Sequence, residues 1–365
     1  MKVVFVSNFL NHHQIPFCNK MLSLCDEFFF VATEADASQG YQKSFQAEYV
    51  VNYAKDKDRA DSLILESDAV IFGACPNELI ELRMNENKLS FLYSERFFKK
   101  GIWRRFIPST RKKVFDRVIK YKDKNMLVLC ASAYLPYDLS LMGFPKEKCL
   151  KWGYFPDTQL EAKTEEKAQG SILWAGRMLD WKHPEIPVFV AQKLKADGYD
   201  FKMDIVGEGA ELERVKALAE AKDVMDKITF RGSLSHNDLL LEMRKRQMFM
   251  FTSDRYEGWG AVLNEAMSSR CVPVASDAIG AVPYLIDDGK NGLVFKSCNI
   301  NDAYKKVKML LDDQNMRETM SEKAHSTIFN EWNADIAAER LVSVIKDTTF
   351  RYESGPCSAS KVIKG

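Results

Sequence analysis

Short, nearly continuous apolar runs recur along this chain, each followed by a longer polar stretch with helical spacing. In the first half the runs are Lys2 to Ser7, Phe28 to Ala32, Ala69 to Gly73, Leu89 to Tyr93 and Met126 to Ala131. A strand that is apolar at every position, not at alternate ones, is buried on both faces, and helices supply the cover. Near Pro156 the texture changes: residues 157–170 are polar, with almost no large apolar side chain. The alternation then restarts with Ile172 to Ala175, Lys202 to Val206, Ile228 to Phe230, Met248 to Phe251 and Val272 to Ala275. Helical spacing between these runs predicts helices over about 184–196, 211–221 and 237–246. The fold class is therefore α/β, with two doubly wound, Rossmann-like domains over 1–156 and 171–331. They are expected to be joined by a linker at 157–170 and to face a central cleft. An amphipathic helix within 332–350 is expected to cross back to the first domain. Residues 351–365, rich in Ser, Gly and Lys, read as a flexible tail.

With 365 residues the chain is long enough for two such domains. A net charge of +1 argues against a general polyanion binder. Met1 to Ser7 is too short an apolar run for a signal peptide, and no run approaches the roughly 18 apolar residues of a membrane span. The eight cysteines form no C-x-x-C pair, and several lie in strand-like runs such as Leu127 to Cys130. That pattern reads as buried free thiols in a reducing, cytoplasmic setting.

The densest chemistry lies in Glu257-Gly258-Trp259-Gly260-Ala261-Val262-Leu263-Asn264-Glu265. It follows the run Met248 to Phe251 and precedes a helical stretch, so Glu257 falls on a strand-to-helix loop and Glu265 about two turns further on. Gly258 and Gly260 let backbone N–H groups at the helix start come close to a ligand, and a helix start favours an anion. Two acids around a phosphate site suit a ligand with hydroxyls on both sides of the phosphate, as in a nucleotide-sugar. Arg177 and Lys182 fall on the loop after the first strand of the second domain. They read either as two surface cations or as the pair that neutralises a diphosphate. Val206-Gly207-Glu208-Gly209 makes a tight turn at another strand end, and Arg231, Ser233 and Leu234 follow the next, where a base could rest.

In this order the motifs resemble the donor domain of retaining GT-B glycosyltransferases of family 4, the group 1 glycosyltransferases. The matching residues are Gly176-Arg177…Lys182, Val206-Gly207-Glu208-Gly209, Phe230-Arg231-Gly232, Glu257-Gly258…Glu265-Ala266, Pro273 to Asp277 and Asp288-Gly289…Asn291 to Val294. The resemblance covers residues 171–331, whereas the first half matches in topology alone. It implies that Glu257 contacts donor sugar hydroxyls, that Glu265 holds the ribose and that Arg177 and Lys182 bind the diphosphate, helped by N–H groups of Gly260, Ala261 and Val262. It also implies retention of anomeric configuration without a metal, by same-face attack with the leaving phosphate as base. One departure stands out: Gly280-Ala281-Val282-Pro283-Tyr284 has Tyr284 where the family commonly carries Glu.

In the first domain, His12 and His13 follow the first strand and open a helix. Either they bond the transferred sugar or the acceptor, or they cap and pack the helix. No third ligand has metal spacing, so neither a metal nor a cofactor beyond the nucleotide-sugar substrate is expected. Glu95 ends another strand, where it orients an acceptor hydroxyl or forms a strand-end salt bridge. Between Arg96 and Lys122 lie eleven cations against Asp116 alone, interleaved with Phe97, Phe98, Ile102, Trp103, Phe106 and Ile107. This composition suits an anionic membrane surface, or a solvated helix face whose aromatics belong to the core. No nucleic-acid motif accompanies it. The expectation is a glycosyltransferase at the cytoplasmic face of a membrane, acting on a glycan or lipid-linked acceptor in surface polysaccharide or lipopolysaccharide assembly. The alternative is a GT-B-shaped binding or assembly protein without turnover. A nicotinamide-dependent enzyme is disfavoured, since Asn8 to Asn11 replaces G-x-G-x-x-G after the first strand.

Overall fold

The computed structural model describes residues 1–34, 47–158 and 166–364, so half of the 157–170 segment lies outside it. The chain forms two compact units, one of Met1–Asp157 with Glu331–Gly365 and one of Thr158–Asn330. The first holds strands β1 (Lys2–Ser7), β2 (Glu27–Ala32), β3 (Val50–Asn52), β4 (Ala69–Phe72), β5 (Ser90–Ser94), β6 (Met126–Cys130) and β7 (Cys149–Lys151). The second holds β8 (Ser171–Ala175), β9 (Lys202–Val206), β10 (Ile228–Phe230), β11 (Met248–Phe251), β12 (Val272–Ser276) and β13 (Leu293–Phe295).

Among the described residues each unit carries one sheet, ordered β3-β2-β1-β4-β5-β6-β7 in the first and β10-β9-β8-β11-β12-β13 in the second. Every strand pair in both is parallel. The chain order reverses between β1 and β4 and again between β8 and β11, the doubly wound arrangement whose carboxyl ends host ligands at the reversal. Central strands are buried along their length, as their unbroken apolar runs require: β4, β6, β8, β11 and β12 expose no residue.

The sequence missed β3 and β7. Each is a three-residue edge strand with two apolar residues followed by a polar one, too little to stand out as an apolar run. The stretch from Arg351, expected to be a flexible tail, packs instead. Lys151 N–H donates to Ser358 O at 2.8 Å, Cys357 N–H to Lys151 O at 2.8 Å and Ser360 N–H to Cys149 O at 3.0 Å. These bonds cover the open edge of β7, and Cys357 and Ser358 are buried. Helix Ala334–Lys346 belongs to the same unit as helix Ile15–Leu24, and Lys20 Nζ meets Glu339 Oε1 at 2.8 Å. The cysteines are unpaired, but Cys298 is exposed, so burial does not extend to all of them.

Candidate active site

The two loops that flank the β8/β11 reversal carry the central pair. One runs from Gly176 to His183 after β8, the other from Thr252 to Ala261 after β11. Lys182 Nζ forms an ion pair with Glu257 Oε2, with both side chains nearly buried. Ser253 Oγ donates to the same carboxylate oxygen at 3.0 Å. The backbone beneath is locked: Trp174 Nε1 donates to Thr252 Oγ1 at 2.8 Å, whose hydroxyl donates to Lys182 O at 2.6 Å. The Lys182 ammonium also lies 4.5 Å from the Trp181 ring centroid. The sequence reading gave these two residues separate partners; the fold brings them onto each other.

Past Glu257 the motif divides its labour. Trp259 is fully buried and donates Nε1 to Asn264 Oδ1 at 3.0 Å, so it anchors the loop in the core. Gly260 has φ +88°, and a Cβ there would stand 2.7 Å from Phe251 Cε1. Only glycine lets the chain turn so tightly into helix Val262–Ser268. The N–H groups of Gly260, Ala261 and Val262 open that helix, with no preceding turn to receive them. Glu265 is buried in it, and its Oε1 lies 3.1 Å from His236 Nε2.

His236 was not singled out from sequence. It starts helix His236–Arg244, just past the Ser233-Leu234 stretch, and Ser235 caps that helix by accepting from Asp238 N–H. A histidine beside a serine N-cap after a strand was the available signal. Gly207 sits at the end of β9 with φ +132°. Arg231 faces Asp204 at 3.7 Å and Glu242 at 3.6 Å, an acidic pair it shares with Arg246. Ser233 is exposed and Leu234 half-buried. Arg177 is exposed, and its guanidinium has no acid or carbonyl partner among the described residues. Tyr284, in place of the usual Glu, sets its ring 6.2 Å from that of Trp259.

His183 was also missed, although it adjoins Lys182. It takes up a left-handed turn at φ +51°. Its Nε2 lies 3.7 Å from Asp254 Oδ2 and 3.4 Å from Cys298 Sγ, and its Nδ1 lies 2.9 Å from Glu185 Oε1. Asp254 and then Glu185 raise the imidazole to about 10, against the opposing pull of burial. An unfolded imidazole titrates near ~6.5, so this contribution is complete below that pH and fades as pH rises through about 10. The unfolding temperature should therefore fall between pH 7 and 10 by roughly 3–6 °C, equivalent to about 1–2 kcal/mol after solvent screening. Differential scanning fluorimetry of His183→Gln should show a flatter alkaline limb; an unchanged slope would remove His183 from this role.

In the other unit, His12 is exposed and its ring lies 3.7 Å from that of His13. His13 stacks at 5.7 Å on Tyr154, whose hydroxyl donates to Glu95 Oε1 at 2.7 Å. Lys99 pairs with the other oxygen of Glu95. His13 and Glu95 are thus linked through Tyr154, a residue the sequence did not single out. His13 also borders a small pocket lined by Phe5, Phe17, Tyr93 and Trp152. Among the described residues, no group of three or more His, Cys, Asp and Glu could hold a metal, and no helix is long and apolar enough to cross a membrane.

The basic segment is only partly a surface feature. Arg96 is buried against Asp138, 3.1 Å from its Oδ1, and Phe98 lies in the core with Phe97 packed on it. Burial pushes the Asp138 carboxyl up, with Arg96 pulling it back. Arg117 donates to Cys75 O at 2.6 Å and Lys120 pairs with Glu81 at 3.0 Å. Ile107 is half-buried, and Trp103, Phe106 and Phe115 stay exposed.

Residues 157–327 match the family model for glycosyl transferases group 1. This stretch is a group 1 glycosyltransferase domain. The group 1 domain holds the Lys182–Glu257 and His236–Glu265 pairs. Alpha-D-kanosaminyltransferase of Streptomyces kanamyceticus is 29% identical over 203 residues, covering 53% of this chain and 51% of that protein. The poly(ribitol-phosphate) alpha-N-acetylglucosaminyltransferase of Staphylococcus aureus is 26% identical over 179 residues, covering 49% and 35%. The chain thus spans about half the length, or less, of these relatives. Anabaena HepE, solved in complex with UDP, superposes with a TM-score of 0.73 at 12% identity, covering 95% of this chain and 100% of that one. S. aureus TarM superposes at 0.61 with 19% identity, covering 76% and 55%. At these identities the likeness is one of fold, that of the GT-B glycosyltransferases, and it reaches well beyond the group 1 domain.

Proposed function

We propose that this protein transfers a sugar from a UDP- or GDP-sugar to a hydroxyl of a glycan or lipid-linked acceptor, with retention of anomeric configuration. The Lys182–Glu257 ion pair at the strand-order reversal of a group 1 domain carries this reading. Lys182 and Arg177 neutralise the diphosphate, aided by the N–H groups of Gly260, Ala261 and Val262. Glu257 accepts from sugar hydroxyls; Glu265, with His236 at its side, holds the ribose. The bond from the anomeric carbon to the diphosphate breaks and the acceptor oxygen bonds on the same face. The acceptor proton passes to the departing phosphate, so no carboxylate need act as nucleophile. His13 and Glu95, joined through Tyr154, orient the acceptor. HepE has been solved with UDP-glucose, which supports a UDP-sugar donor. A Campylobacter jejuni relative, 28% identical over 153 residues, is named for transfer onto a diphospho-undecaprenol-linked sugar, which supports a lipid-linked acceptor. The setting is the cytoplasmic face of a membrane, in surface polysaccharide or lipopolysaccharide assembly.

Thermal-shift titration with UDP, GDP and their common sugars tests the donor site. At a hundred times its dissociation constant, the cognate nucleotide should stabilise the fold by about 2.7 kcal/mol. The corresponding sugar nucleotide should then be consumed when acceptor is added. No shift with either nucleotide would overturn the proposal, and a shift without consumption would favour a binding protein.

A further inference from the structure

Four of the chain's exposed large apolar side chains fall within fourteen residues of one another: Ile102 (36% exposed), Trp103 (57%), Phe106 (68%) and Phe115 (50%). They sit on the helical turn Ile102–Phe106 and the helix Pro108–Arg117 that follows it. The two most exposed rings are held in place by their own surroundings. Trp103 Nε1 donates to Lys100 O at 3.1 Å, and its indole folds over Gly101, where a Cβ would stand 2.7 Å from the ring. Arg105 lies 4.6 Å from the Phe106 ring centroid and Arg104 5.7 Å from that of Trp103. Rings this exposed contribute little to the core, which Phe98 and Val114 of the same segment enter.

Lys112 pairs with Asp116 at 2.7 Å, but much of the remaining charge around them has no acidic partner. Lys100, Arg111 and Lys113 are exposed and have no acidic partner among the described residues. Arg111 and Phe115 stand four residues apart and so share a helix face. Arg96 and Lys120, paired with Asp138 and Glu81, lie where the segment turns inward.

We propose that the turn Ile102–Phe106 and helix Pro108–Arg117 form a docking surface for an anionic lipid bilayer. Trp103 and Phe106 enter the headgroup layer, while Lys100, Arg104, Arg105 and Arg111 lie against lipid phosphates. Aromatic rings flanked by arginine and lysine match that layer, which is apolar inward and anionic outward. The surface rests on the membrane setting proposed above, and it narrows the contact to one turn and one helix face.

Vesicle flotation tests this with the full chain, using phosphatidylcholine vesicles with and without one-third phosphatidylglycerol. The protein should float with the anionic vesicles and be released as salt is raised, since exposed charge is screened within about 10 Å at 0.1 M. Trp103→Ser with Phe106→Ser should bind at least tenfold more weakly. Lys100→Ser, Arg111→Ser and Lys113→Ser together should lose the preference for anionic lipid. In the wild type, brominated lipid should quench part of the tryptophan fluorescence, a readout that needs no variant. Equal flotation on both vesicle types, no flotation, or undiminished binding of the aromatic variant overturns the proposal. Nucleotide thermal shifts on the same variants separate the two readings. A normal shift without flotation sinks the docking surface alone; flotation without a nucleotide shift sinks the transferase.

Discussion

Replacing Lys182 with alanine should lower transfer by two to three orders of magnitude, about 3–4 kcal/mol of transition-state stabilisation. Lys182 and Glu257 are nearly buried, and the ion pair between them is backed by Ser253 Oγ at 3.0 Å. In so dry a place an ammonium on a departing diphosphate acts far more strongly than it would in water. Glu257→Ala should lose a similar factor, because its carboxylate holds Lys182 in register and, in the proposed reaction, meets the sugar. Each single variant strands a charge in a poorly solvated site, at a cost of several kcal/mol in the limit of full burial. The double variant Lys182→Ala/Glu257→Ala should therefore be no slower than the worse single one, and more stable than either. Steady-state kinetics and thermal melts of the three proteins give the answer. Additive losses in rate would mean that the residues serve separate ligands, and near-normal turnover in either single variant would remove the pair from the active site.

Gly207→Ala should unfold the group 1 domain early. With φ at +132°, a side chain at Gly207 is strained, and its Cβ would collide with the carbonyl oxygen of Gly176. The two backbones are laced there: Gly176 N–H donates to Val206 O at 3.0 Å, Met178 N–H to Glu208 O at 2.7 Å and Gly207 N–H to Gly232 O at 2.8 Å. This seam holds the loop that carries Arg177 and Lys182. The cost should be about 3 kcal/mol, a fall in melting temperature of roughly 6–12 °C for a domain of this size. Gly198→Ala is the matched control. Gly198 also has positive φ, +80°, but nothing lies within 4 Å of its added Cβ. It should cost only about 1 kcal/mol. Equal losses at the two positions would show that backbone strain, not the seam, accounts for Gly207.

Much of this architecture was legible because strands buried on both faces must be apolar throughout. β4, β6 and β11 are plain in the sequence for that reason. β3 and β7 are not, because three residues at an edge or near it need satisfy no such rule. The packed tail was misread because its Ser and Gly content describes local freedom, whereas its order comes from backbone bonds to a strand some 200 residues earlier.

The sequence by itself determined the residue types at the site and their order: Arg177 and Lys182 after one strand, Glu257 and Glu265 after another. Spacing along a chain sets which loop a residue occupies, so the strand-end positions of these residues could be read directly. Which side chains meet was decided only by the tertiary structure. Lys182 reaches Glu257 because β8 and β11 are neighbours in the sheet while 75 residues separate the two side chains. The same packing brought His236 to Glu265, Tyr154 to His13 and Asp254 to His183. It also separated Arg96 and Phe98, which turn into the core, from Trp103 and Phe106, which do not. Composition treats all four alike; burial is a property of the folded surface, and no local pattern of charge and aromatics encodes which way each one faces.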